Sequence, residues 1–229
     1  MQSVTHLFFD VDDTIFDFDK CAADSIAKAF DKFGLKYDDS VFCAFKRINS
    51  DFWRRIEKGE IDRAYLARHR FDALFKEIGV DFPGPVFETE FRANLHSSCI
   101  EVEGAAEVIR ALHGRYKLFV ASNSFYAQQH NRLALAGIAD CFDAIYASED
   151  IGASKPSPEF FKKIMRLAQV DDARRAMMIG DSLTADIVGA ASVGMRSCWI
   201  KKCPHDKIPD YVDLHIDDIR LLPDLLKTL

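Results

Sequence analysis

From Val102 onward, segments of helical period alternate with short apolar runs. "GAAEVIRALHG" reads as helix, "KLFVAS" as strand, "YAQQHNRLALAG" as helix and "FDAIYAS" as strand; "SPEFFKKIMRLAQ", "AMMIGD", "TADIVGAASVG" and "RSCWI" repeat the order. Parallel strands need a long crossover between them, usually a helix, so this rhythm predicts an α/β fold: a doubly wound, Rossmann-like parallel sheet with helices on its faces. Ligand sites in such sheets lie beyond the carboxyl ends of the strands.

One further strand is expected before this region, at Leu7 to Phe9, and it stops at Asp10. Between them the period is helical throughout. Ala22, Ala23, Ile26, Ala27, Phe30 and Phe33 fall on one helical face that ends at Gly34. Further helices are predicted from about Ser40 to Lys58, from Asp62 to Ile78 before Gly79, and near Val86 to Leu95, where Pro85 suits a first turn. Four consecutive helices without a strand predict a helical-bundle insertion over residues 17–96, with residues 1–16 and 97–229 forming the α/β core.

The 229 residues carry a net charge of −6, which argues against a protein that coats a nucleic-acid polymer, since such proteins neutralise phosphates with basic surfaces. A small anionic ligand needs only one local cationic pocket. No apolar run approaches the roughly 20 residues of a membrane helix. The opening "MQSVTHLFFD" has neither the basic flank nor the apolar segment of a leader, so a cytoplasmic location is expected, as monomer or homodimer. Cys21, Cys43, Cys99, Cys141, Cys198 and Cys203 form no Cys-x-x-Cys pair, which predicts reduced thiols. His6, His69, His96, His113, His130, His205 and His215 show no ligand spacing and are read as structural or surface residues.

Four polar clusters each end an apolar strand: "FFDVDDT", "FVASNS", "GASKP" soon after "FDAIYAS", and "MMIGDSLTAD". A parallel sheet brings these ends to one edge, so Asp10, Asp12, Ser122, Lys155, Asp181 and Asp186 can meet although they are far apart in sequence. Each cluster alone has an ordinary explanation. An isolated Asp-x-Asp is more often an acidic turn, Ser122 could cap a helix, Lys-Pro is usually a solvated loop, and Asp181 and Asp186 could be a turn and a helix-surface charge.

Taken in order, the four clusters resemble the motifs of the haloacid dehalogenase superfamily. The first motif, Asp-x-Asp-x-Thr, stands as Asp10-Val11-Asp12-Asp13-Thr14; the second is Ser122 followed by Asn123; the third is Lys155 before Pro156; the fourth is the acidic pair Asp181 and Asp186. The resemblance spans nearly the whole chain, including the helical insertion after the first motif. It implies a Mg2+-dependent phosphomonoesterase that splits a slow hydrolysis into formation and breakdown of an aspartyl-phosphate. Asp10 would be the nucleophile. Mg2+ would sit on a carboxylate oxygen of Asp10, the backbone carbonyl of Asp12 and Asp181. Asp12 would protonate the leaving oxygen and later deprotonate water. Ser122, Asn123 and Lys155 would bind the phosphoryl oxygens, Lys155 also stabilising the transferring group. Asp186 would orient Lys155 or a metal-bound water, and Thr14 would support the motif from outside the contacting set. Dehalogenases and phosphonate-cleaving members lack the second acid of the first motif, so Asp12 points to phosphate esters. Asp13 stands where many relatives have glycine.

The insertion would act as a mobile cap that selects the substrate. Phe16, Phe18, Trp53, Arg54 and Arg68 are candidates to line it, although aromatics at helical spacing are more often bundle core. "DDTIFDF", "RINSDFWRRIEKGEI", "RFDALFKEIGV" and "GDSLTADIVGAASVGMRSCW" look like bacterial pyrimidine 5′-nucleotidases of the superfamily, implying a small phosphorylated metabolite, a nucleoside monophosphate, as partner. A sugar-phosphate or phosphoglycolate phosphatase is the alternative, and a phosphate-sensing module without turnover is a further one.

Overall fold

The computed structural model describes residues 3–201 and 208–228. Cys203 and His205 lie outside them. Six strands are present among these residues: β1 (His6–Phe9), β2 (Lys117–Ser122), β3 (Ala144–Ala147), β4 (Ala176–Gly180), β5 (Arg196–Ile200) and β6 (Leu214–Ile216). They form one sheet in the order β3-β2-β1-β4-β5-β6 with every neighbouring pair parallel. The strand order reverses direction at β1, which is where the first cluster of acids leaves the sheet.

Successive side chains of a strand face opposite sides, so Leu7 and Phe9 point one way and Phe8 the other. All three are fully buried, as a sheet covered on both faces requires. Phe8 stacks on Phe119 at 4.9 Å and joins Tyr146, Phe160, Phe161, Ile164, Met178 and Ala190 in one apolar cluster. On the other face Phe9 meets Phe142 edge-on at 6.2 Å.

The helices α1 (Phe18–Lys32), α2 (Asp39–Glu57), α3 (Arg63–Ile78) and α4 (Gly84–His96) follow β1 without an intervening strand. After them come α5 (Ala105–Leu112), α6 (Tyr126–Leu135), α7 (Ser148–Ile151), α8 (Pro158–Leu167), α9 (Val188–Ala191) and α10 (Leu222–Leu226). The chain divides into two compact units: Phe18–Ser98, and the residues on either side of it.

In the helical unit, the Asp38 carboxylate accepts from the Ser40 amide at 2.8 Å and starts α2, and Asp62 accepts from the Tyr65 amide at 2.6 Å and starts α3. Gly79 ends α3 with φ of 69°, a left-handed cap that glycine adopts without strain. Phe30, Phe45, Phe71, Phe75, Phe87 and Phe91 are each almost wholly buried. Arg70 lies among these rings, its guanidinium 4.9 Å from the Phe91 centroid, and donates to both oxygens of Glu88 at 2.8 Å and to Asn49 at 2.7 Å.

The sheet-bearing unit closes where the chain leaves and re-enters it. The Asp17 amide donates to the Ile100 carbonyl and the Val102 amide to the Ile15 carbonyl, both at 2.9 Å. Phe16, expected as a cap-lining candidate, is fully buried in this unit beneath the Arg132 guanidinium, whose central carbon is 4.6 Å from the ring centroid. An aromatic ring packed against a buried cation is core, which corrects that expectation. Arg54 and Arg68 are exposed, and Arg54 pairs with Asp51 one helical turn away.

Two segments differ from the periodicity. "TADIVGAASVG" is not one α-helix but a π-helical turn over Leu183–Ile187 followed by α9. The π turn coincides with the turning of Asp186 inward, where its carboxylate accepts from the Ser182 amide at 3.1 Å. The strand in "FDAIYAS" stops at Ala147, and Ser148 begins α7. Cys21, Cys43, Cys99, Cys141 and Cys198 are free thiols.

Candidate active site

Register assembles the site. Phe9 pairs with Val120 on one side and Ile179 on the other, so the residues just past β1, β2 and β4 emerge together. The Asp10 amide donates to the Ile179 carbonyl at 2.9 Å, carrying the ladder one residue beyond the strand. The loop then turns sharply, with the Asp13 amide on the Phe16 carbonyl at 2.7 Å. Asp13 has φ of 60°, in the left-handed region that favours glycine and that aspartate tolerates better than most residues. Its carboxylate is exposed, so here the residue serves backbone shape.

Lys155 is buried and donates from Nζ to Asp10 Oδ1 at 2.5 Å and to Asp186 Oδ1 at 2.7 Å. Asn123 fixes the loop that carries it: the Asn123 side-chain amide donates to the Lys155 carbonyl, and the Lys155 amide donates to Asn123 Oδ1, each at 2.9 Å. This two-point clasp joins the second cluster to the third.

Asp10, Asp181 and Asp186 form an acidic trio in which one carboxylate oxygen of each lies within 4.8 Å of the others. Burial pushes the Asp10 carboxyl up to about 7; the Lys155 ammonium opposes this, while the charges of Asp186 and Asp12 add to it. Asp181 is likewise raised well above the usual carboxylate range, by burial and then by Asp186, Asp10 and Asp13. Burial works against the charged form of Lys155, yet Asp10 and Asp186 raise its pKa above that of an ordinary lysine. When ionised, three carboxylates face one ammonium and leave an excess of two negative charges. Oxygen donors, crowding and that excess fit a hard divalent cation. The Trp199 indole steadies the trio from β5 by donating to the Asp181 carbonyl at 2.8 Å.

Asp12 turns to a different set of partners. Its Oδ1 accepts from Arg132 at 2.6 Å and its Oδ2 from Gln129 Nε2 at 3.0 Å. Ser122 Oγ accepts from the Ser124 amide at 3.0 Å and from Gln129 Nε2 at 3.2 Å, so its own proton is still available to donate. Thr14 Oγ1 is buried with no hydrogen-bond partner among the described residues. The structure therefore gathers Asp10, Lys155, Asp181 and Asp186 around one point, spends the Asn123 side chain on Lys155, and links Asp12 to Ser122 through Gln129.

Gln129 and Arg132 were not found from the sequence. They lie one turn apart on α6, in a polar stretch that reads as a solvated helix face, yet both are fully buried. A charged residue so soon after the second cluster was the only available signal.

Residues 4–194 match the family model described as haloacid dehalogenase-like hydrolase. The chain belongs to the haloacid dehalogenase-like hydrolases. Among individual members of the family it is similar to the HAD-hydrolase YfnB of Bacillus subtilis, with 31% identity over 229 residues, covering 100% of this chain and 97% of that protein. The crystal structure of YfnB bound to magnesium matches with a TM-score of 0.92 at 30% identity, over 98% of this chain and 99% of that one. The pyrimidine 5′-nucleotidase YjjG of Escherichia coli is 29% identical over 85% of this chain and 84% of its own length. The glyceraldehyde 3-phosphate phosphatase of Pyrococcus abyssi is 30% identical over 85% of this chain and 80% of its own. No helix among the described residues of this haloacid dehalogenase-like hydrolase is long and apolar enough to cross a membrane.

Proposed function

We propose that this hydrolase is a Mg2+-dependent phosphomonoesterase that works through an aspartyl-phosphate on Asp10, with nucleoside 5′-monophosphates, preferentially pyrimidine ones, as substrates. The observation that carries the reading is the buried Asp10–Lys155–Asp186 contact set beside Asp181, with a second carboxylate, Asp12, two residues from Asp10. Mg2+ would be held by the carboxylates of Asp10 and Asp181 and the backbone carbonyl of Asp12. The cation supplies screening between an anionic nucleophile and an anionic phosphate and withdraws charge from the phosphoryl oxygens.

The chain's own groups account for the rest. Asp10 Oδ attacks phosphorus while the bond to the leaving oxygen breaks, and Asp12 delivers the proton that oxygen needs. Lys155, locked by Asn123 and Asp186, offers a fixed positive charge to the phosphoryl oxygens, and Ser122 donates the proton that its two hydrogen bonds leave available. Asp12 then takes a proton from the water that releases phosphate. The helical unit, inserted directly after the first motif, is assigned substrate choice.

The pyrimidine preference is supported by similarity to YjjG over most of both chains. A sugar-phosphate substrate is the second reading, favoured by comparable similarity to the Pyrococcus phosphatase. The test is phosphate release over a panel of nucleoside monophosphates and sugar phosphates with magnesium, for the parent and for Asp10→Asn. Pyrimidine monophosphates should give the highest kcat/KM, and the variant should be inactive. Sugar phosphates outperforming every nucleotide would overturn the substrate assignment, and an active variant would overturn the nucleophile.

A further inference from the structure

We propose that Arg132, together with Gln129, is the positioning residue that fixes the Asp12 carboxylate for proton transfer, so that α6 belongs to the leaving-group step. The inference rests on the phosphomonoesterase reading and adds to it two residues outside the four motifs.

Among the described residues Arg132 is the largest fully buried side chain, and a buried guanidinium needs a countercharge. That countercharge is Asp12 at 2.6 Å, whose own side chain remains 30% exposed. The pair therefore joins a fixed, enclosed cation to a carboxylate that solvent or a substrate can still reach. Gln129 Oε1 accepts from the same Arg132 nitrogen at 3.1 Å, and the Phe16 ring lies against the guanidinium on another side. Gln129 Nε2 in turn bridges Asp12 and Ser122.

Lone-pair accounting separates holding from blocking. A carboxylate has four acceptor positions, two on each oxygen. Arg132 occupies one on Oδ1 and Gln129 one on Oδ2, which leaves one on each oxygen for the proton that passes to the leaving group. In that step the Asp10–phosphorus bond forms, the bond from phosphorus to the leaving oxygen breaks, and the Asp12 proton moves onto that oxygen. Two donors on a rigid helix fix the carboxylate plane beforehand, so no reorientation is needed when the bond breaks.

A positioning role and a merely structural one differ in their dependence on the leaving group. An alkyl phosphate needs the proton from Asp12, whereas p-nitrophenolate is stable enough to leave without it. The measured quantity is kcat/KM, which ends at the first irreversible step and excludes the later hydrolysis of the aspartyl-phosphate. For Arg132→Met, kcat/KM on the best alkyl phosphate of the panel should fall by about 30- to 100-fold, up to the lower edge of the roughly 100- to 10,000-fold typical of a general acid because Asp12 itself remains, and on p-nitrophenyl phosphate by about threefold or less. Arg132→Lys should recover part of the selective loss. In an Asp12→Asn background, Arg132→Met should add no further selective loss. Equal losses on both esters, or an undiminished selective loss without Asp12, would overturn the proposal. Should Arg132→Met not fold, Gln129→Leu reads the same ratio, with a smaller selective loss expected and none contradicting it. A parent enzyme that hydrolyses neither ester removes the phosphatase reading itself, a result distinct from equal losses.

Discussion

Lys155 donates to two carboxylates that would otherwise face one another in a buried pocket, and it has almost no solvent to fall back on. Removing one partner of such a set leaves uncompensated buried charge, which is more costly than the net worth of the contacts. Lys155→Met is therefore expected to lower the unfolding free energy by about 3–5 kcal/mol in a denaturant titration without magnesium, besides abolishing turnover. Asp10 titrates in the opposite sense to a stabilising ion pair. Its carboxyl is raised from an ordinary 3.8 to about 7, so between those values the folded chain holds a proton that the unfolded chain has released. More protons on the native state means that stability falls as pH rises through this window, and the full loss is present above about pH 7. A cation on the trio offsets that loss, because it binds the deprotonated form. In chelator the melting temperature should drop between about pH 5 and pH 8, and the increase produced by magnesium should be larger at the upper pH. A magnesium shift that is equal at both pH values would contradict the assignment of the trio as its site.

At the scale of elements, Gly180 shows how closely β4 and the π turn are fitted. A Cβ at this position would lie 2.5 Å from the Asp186 Cγ, so any side chain would displace the carboxylate to which Lys155 donates. Gly180→Ala should cost about 1–3 kcal/mol by overpacking and lower kcat by about tenfold or more, measured by thermal melting and steady-state turnover. The four strand-end clusters were legible in the sequence because each is continuous with an apolar run that marks its strand. The partners on α6 were not. Helical period records which face is apolar, but it does not reveal that Gln129 and Arg132 are met by Asp12 and Phe16, from a loop far away in sequence. The same limit hid the π turn, which coincides with one inward carboxylate, and β6, three residues whose pairing with β5 is the tertiary fact that makes them a strand. The opposite holds at Asp13, where a residue that looked like a third acid of the cluster supplies a backbone angle.

For the whole molecule, the parallel sheet followed from the alternation of periods, since few other architectures satisfy it, and the family match over residues 4–194 agrees with that fold. The helical unit was legible for a different reason: four amphipathic segments in succession have no strand to pack on and must bury their phenylalanines against one another. Its interior ion pair, Arg70 with Glu88, was not, because basic residues on helices are ordinarily solvated. Lys155 and the proposed divalent cation would together balance the trio, Arg132 balances Asp12, and the crowding of acids after β1 becomes compatible with a folded core. The claim on which this chemistry depends is that phosphate passes through Asp10. Acid quench during turnover of the preferred monophosphate, followed by peptide mass mapping, tests it most directly. A hydroxylamine-labile phosphoryl group is expected on the peptide containing Asp10 and is absent in Asp10→Asn; turnover with the phosphoryl group on another residue would contradict the assignment of Asp10.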